Sequence, residues 1–125
     1  MNITIQFTVS QYDFEGLMEN DRAAVSWSAC GLRRKLDKAG NRYYEVQEDE
    51  FAGETACKVY TVTRTKFERA IGAIFRGDVD PSIDRRFTCS DALSSYVLRG
   101  CCGYVDSLDV YQIVQVACFG EVRYA

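Results

Sequence analysis

An α+β fold, with a small antiparallel β-sheet, helices packed on one face and a helix-rich C-terminal half, is what this chain predicts. Strand-like runs gather in the first half and helical periodicity dominates the second. The connection between the second and third strand runs is too short for a helical crossover, so those two pair as antiparallel neighbours. At 125 residues, 47% apolar and 26% charged, the chain reads as a single globular domain over 1–125 with a real core.

Residues 1–9 alternate Met1, Ile3, Ile5, Phe7 and Val9 against Asn2, Thr4, Gln6 and Thr8, the pattern of a half-buried strand. Ser10 with Asp13 three residues on is a variant capping box and starts a short helix over 11–19, with Phe14, Leu17 and Met18 inward. Asp21 caps a second helix over 22–38, in which Val25, Ala29, Leu32 and Leu36 form one stripe and Arg33, Arg34, Lys35 and Lys38 load the last turns. Gly40-Asn41 ends it. Residues 42–47 and 56–63 have strand composition, joined by an acidic connection.

Thr65-Lys66-Phe67-Glu68 is a capping box opening a helix over 66–76, whose Phe67, Ala70, Ile71, Ile74 and Phe75 face the sheet before Gly77 closes it. Asp80-Pro81 starts a short helix to about Phe87, and Ser90 another through Leu98. Over 107–119 the β-branched run competes with a helical spacing of Leu108, Tyr111, Val114, Gln115 and Cys118; the acidic start and Phe119-Gly120 exit favour helix. Glu121 to Tyr124 adds a short terminal strand.

The absence of histidine removes Ser-His-Asp and Cys-His nucleophile systems and every imidazole-based zinc site. No glycine-rich phosphate loop is present. Asp78-x-Asp80-x-Ser82-x-Asp84 lacks the glycine and glutamate that a calcium loop needs, and Arg76-Gly77-Asp78 reads as a helix terminus. The six cysteines match no zinc spacing and read as small buried hydrophobes, with Cys101-Cys102 the pair open to a thiolate role. No cofactor and no metal are expected. The N-terminus has no secretory pattern and no apolar run approaches membrane-spanning length, so the expected location is the cytoplasm, with no membrane contact. A net charge of −3 is too weakly acidic to be a nucleic-acid mimic and has the wrong sign for a bulk-charge nucleic-acid binder.

Two stretches concentrate negative charge without any Lys or Arg: Asp13, Glu15, Glu19 and Asp21, and Glu45, Glu48, Asp49, Glu50 and Glu54. Local charge of this kind steers a protein to basic surfaces. The expected partner-binding residues are Glu48, Asp49, Glu50 and Glu54, with Tyr43 or Tyr44 as the aromatic anchor. Adjacent tyrosines on a strand point to opposite faces, so one of them should reach the surface.

The string Gln112-Ile113-Val114-Gln115-Val116-Ala117-Cys118-Phe119-Gly120-Glu121-Val122-Arg123-Tyr124 resembles the tail of small proteins carried by bacterial plasmids, integrative elements and phages. The resemblance implies a class of host-defence inhibitors that includes anti-CRISPR proteins, small, cofactor-free and non-enzymatic, and it carries over no site residue. The expected function is therefore a binding protein of a bacterial host cell that inhibits a defence complex, a CRISPR effector, by occupying its basic nucleic-acid-binding surface, without itself binding nucleic acid. The rival readings are a cofactor-free enzyme using carboxylates or a cysteine, and an accessory structural or regulatory protein of a mobile element, with a homodimer possible.

Overall fold

The computed structural model describes residues 8–20, 31–48, 58–79 and 107–124. In chain order these form α1 (Gln11–Asn20), β1 (Arg33–Leu36), β2 (Arg42–Gln47), β3 (Val59–Val62), α2 (Arg64–Phe75) and α3 (Ser107–Phe119). The fold is α+β: a three-stranded antiparallel sheet in the order β1-β2-β3, with three helices. Residues 1–7, 22–30 and 56–57, and the expected helices near 80–87 and 90–98, lie outside the described residues. Of the expected first strand, Thr8 and Val9 are described, and neither is in a strand.

Period-two alternation along β2 sends Tyr44 and Val46 into the core and leaves Tyr43, Glu45 and Gln47 on the other face. Across the sheet Tyr44 pairs with Val62 and Val46 with Tyr60, so the inner face continues onto β3. Phe14 of α1 ties the layers together. Its ring stands edge-on to Tyr44 at 5.4 Å and to Phe67 of α2 at 5.3 Å, within the range where aromatic pairs are favourable. Ile71 and Ile74 complete the inner face of α2, which packs chiefly against α3, while α3 reaches β3.

The expected helix over 22–38 does not extend through its second half: Arg33–Leu36 is a strand paired with Arg42–Glu45. The turn chemistry explains the correction. Asp37 accepts hydrogen bonds from the backbone N–H groups of Ala39 and Asn41, and Gly40 takes φ +84°. A side chain that satisfies its own turn and a glycine in the left-handed region make a hairpin, and the ladder to β2 then outweighs a helical stripe held by Leu32 and Leu36 alone.

The cap of α2 also differs in register. Thr63, not Thr65, is the N-cap, accepting from the Lys66 N–H at 3.2 Å. Gly77 follows the helix with φ +77°, as its position suggests. At α1, Ser10 caps through its hydroxyl on the Asp13 N–H. Residues 107–119 are helical and end at Gly120, φ +75°. The one-sided stripe expected there is replaced by burial on nearly every side: Val110, Ile113, Val114, Val116, Gln112 and Gln115 are all buried, while Tyr111 and Cys118 are half-buried. That is the signature of a central helix. Residues 121–124 form no strand.

Candidate functional site

The alternation that buries Tyr44 and Val46 continues to Glu48, which is 1% exposed. Its carboxylate accepts from the Tyr60 hydroxyl at 2.8 Å, the Tyr124 hydroxyl at 2.6 Å and Arg123 Nη1 at 3.0 Å. Arg123 lies over the Phe119 ring at 4.3 Å, and Phe119 is edge-on to Tyr60 at 4.9 Å. A buried carboxylate is tolerated only when paired and hydrogen-bonded, and here three donors converge on it. Hydrogen bonding to Glu48, with burial, pushes the Tyr124 phenol up to about 12; burial, with Glu48, also raises that of Tyr60. Both therefore stay neutral donors at ordinary pH.

Gln115, fully buried, holds the same segment from below. Its Oε1 accepts from the N–H groups of Arg123 and Tyr124 at 2.8 and 2.7 Å, and its Nε2 donates to the Tyr124 carbonyl at 3.2 Å. The residues that carry the C-terminal resemblance are thus in large part a structural clasp. Glu48 is part of it, so it does not contribute charge to an acidic surface loop. The signal was available: residue 48 shares parity with 44 and 46.

Of the other expected contact residues, Tyr44 is buried, Tyr43 is half-buried on the outer sheet face, and Asp49, Glu50 and Glu54 lie outside the described residues. The Tyr44 hydroxyl makes no well-formed hydrogen bond but lies close enough to Glu19 to influence it. Burial disfavours the Glu19 carboxylate; the neighbouring Tyr44 hydroxyl, Arg42 and Arg34 overcome this and hold its pKa below the usual value. Tyr43 lines a shallow cleft of about 470 Å³ with Arg42, Glu45, Thr61, Thr63 and Arg64, a mixed-charge lining in which both arginines are already engaged by carboxylates.

Cys101 and Cys102 lie outside the described residues. Burial pushes the Cys118 thiol up to about 12, which makes it a poor nucleophile near neutral pH. Among the described residues, no three Asp, Glu, Cys or His side chains come together in a way that could hold a metal ion, and no helix is long and apolar enough to cross a membrane. Arg76 and Asp78 pair with each other at 3.0 Å beyond the end of α2.

Two outward features remain. On α1, Tyr12 is 85% exposed and shares a helical side with Glu15 and Glu19. On the hairpin, every residue of β1 is exposed and the turn after it is as well. No sequence pattern marks Tyr12: a tyrosine one residue into a capped helix carries no spacing signal of its own.

Comparison with protein-family models, curated proteins and solved structures found no match to this chain.

Proposed function

We propose that this chain is a small non-enzymatic binding protein that inhibits a bacterial defence complex, of the anti-CRISPR type, by occupying a basic nucleic-acid-binding surface. The observation that supports the reading is Tyr12, a large aromatic standing 85% exposed on a helix whose charged residues, Asp13, Glu15 and Glu19, are all acidic. An exposed tyrosine costs little entropy to fix and buries a large area when a partner covers it. Glu15 and Glu19 face Arg34 and Arg42 of the hairpin, so Asp13 is the α1 carboxylate that adds charge beside the tyrosine to complement a Lys/Arg channel. In this reading α1 takes the anchoring role that the sequence analysis assigned to Tyr43 or Tyr44, and Glu45 with the stretch after Glu48 adds charge.

The test is co-purification of the protein with CRISPR effector complexes, followed by Tyr12→Ala. A complex at micromolar concentration that weakens at least tenfold in the variant, with an unchanged circular-dichroism spectrum, is the expected result. No complex with any effector at that concentration removes the inhibitor reading, and undiminished binding of the variant removes α1 as the contact.

A further inference from the structure

We infer that this chain self-associates through the free edge of β3, two copies pairing antiparallel about a two-fold axis into one continuous sheet. The sheet has the order β1-β2-β3, so each outer strand has one edge without a strand partner among the described residues. The ladder shows which groups of β3 face that edge. Glu48 donates its N–H to the Lys58 carbonyl at 3.1 Å, in register with the pairs Val46–Tyr60 and Tyr44–Val62. Opposed residues in an antiparallel ladder alternate between bonded and non-bonded pairs, so Val59 and Thr61 turn their N–H and C=O groups away from β2. Lys66 Nζ, donating to the Thr61 carbonyl at 3.1 Å, agrees with that direction. The Val59 N–H and C=O and the Thr61 N–H have no hydrogen-bond partner among the described residues.

The two edges differ in what they repel. β1 reads Arg-Arg-Lys-Leu with every residue exposed, and cations along an edge oppose pairing with another strand. β3 reads Val-Tyr-Thr-Val, with no charge, proline or glycine, and Val59 is 47% exposed. These are strand-forming residues. The one protecting side chain is Lys66, and the Thr61 carbonyl it reaches keeps a second lone pair. The occupant that matches this edge is the same edge of a second copy. In antiparallel register Val59 of each copy stands opposite Thr61 of the other, so the outward groups of both residues exchange N–H···O=C bonds. Tyr60 then meets Tyr60, and Lys58 stands opposite Val62, so no like charges are opposed along the strand. Such a contact is isologous and closes on itself. It leaves β1 of each copy at the two ends of the joined sheet, where its cations stop further growth.

The inference does not depend on the defence-complex reading, which places its contact on α1. A four-residue edge buries little area, so the dimer is a weak one. Sedimentation equilibrium of the full chain under reducing conditions, from about 10 µM to about 1 mM, should show the mean mass rising from monomer toward dimer. Val59→Pro removes an outward N–H at the first residue of the strand, a place where proline leaves the ladder intact. It should weaken association at least tenfold with an unchanged circular-dichroism spectrum. Amide exchange gives a second readout that needs no variant. The Val59 and Thr61 N–H groups should exchange several-fold more slowly at the highest concentration than at the lowest, while those of Arg34 and Leu36, outward on β1, stay unchanged. A chain that remains monomeric throughout, a dimer whose affinity Val59→Pro leaves unaltered, or exchange at Val59 and Thr61 that ignores concentration would each overturn the inference. Slowing at Arg34 and Leu36 instead would overturn it by moving the contact to the β1 edge.

Discussion

Val9 and Tyr124, near opposite ends of the described chain, are each bonded at both the N–H and the C=O by helix side chains. For Val9, Glu68 Oε2 accepts from the N–H at 2.7 Å, Arg64 Nη1 donates to the carbonyl at 3.0 Å, and the two side chains pair at 2.8 Å. For Tyr124, one residue does both tasks: Gln115 presents an acceptor and a donor on one amide. The charged version uses two residues at i, i+4 on a partly exposed side of α2, where ions keep some hydration. The amide version sits at a fully buried position, where an unpaired charge would be expensive and a neutral group is not. Local dielectric selects the chemistry, although the backbone task is the same.

The clasp around Tyr124 should be the more fragile to substitution. Glu48→Ala removes the acceptor of two phenols and the partner of Arg123 in a buried setting, and a loss of about 3–5 kcal/mol is expected in urea unfolding. A loss below about 1 kcal/mol would mean that the cluster contributes nothing to the fold. Gln115→Leu leaves the N–H groups of Arg123 and Tyr124 without their acceptor and should cost about 2–3 kcal/mol. Its local signature is faster amide exchange at residues 123 and 124 with Val9 unchanged; uniform acceleration would contradict a local clasp.

Arg64→Ala tests the other end and should cost only about 1 kcal/mol, because the pair it breaks is partly in solvent. Salt sharpens the contrast. Raising NaCl to 1 M should shrink the Arg64→Ala loss and leave the Gln115→Leu loss unchanged. Equal salt sensitivity would erase the distinction drawn between the two ends.

Alkali probes the Glu48 cluster from a different side. The folded Tyr124 phenol lies at about 12, above the ordinary tyrosine value near 10. A folded state that holds its proton more tightly contributes stability fully present below pH ~10 and lost as pH rises through about 12. Ultraviolet titration should show several late phenols in the folded protein, because burial also raises Tyr44, Tyr60 and Tyr111, and Tyr124→Phe should lower their number by one and flatten part of the stability loss. A native titration in which every tyrosine ionises near 10 would contradict the Glu48 cluster.

Local chemistry alone determined much of this protein. The alternation in 42–47, the break at Gly77, the helical start at Ser10 and the helix over 107–119 follow from side-chain spacing and backbone preference, which act within a few residues. The same alternation also assigns Glu48 to the inner face, but its acidic neighbours in sequence suggested a solvated loop. Tertiary structure decided the rest. Leu32 and Leu36 satisfy a helical stripe equally well on paper, and only pairing with Arg42–Glu45 makes Arg33–Leu36 a strand. Glu68 looked like the last member of a capping box, yet it reaches Val9, 59 residues away in sequence. Glu48 finds Arg123 and Tyr124 at separations of 75 and 76 residues. A hydrogen bond or ion pair of that span leaves no period in the sequence, because the partners need only meet in space. Burial then makes meeting obligatory: a carboxylate taken out of water must find donors, and the fold supplies them from the far end of the chain.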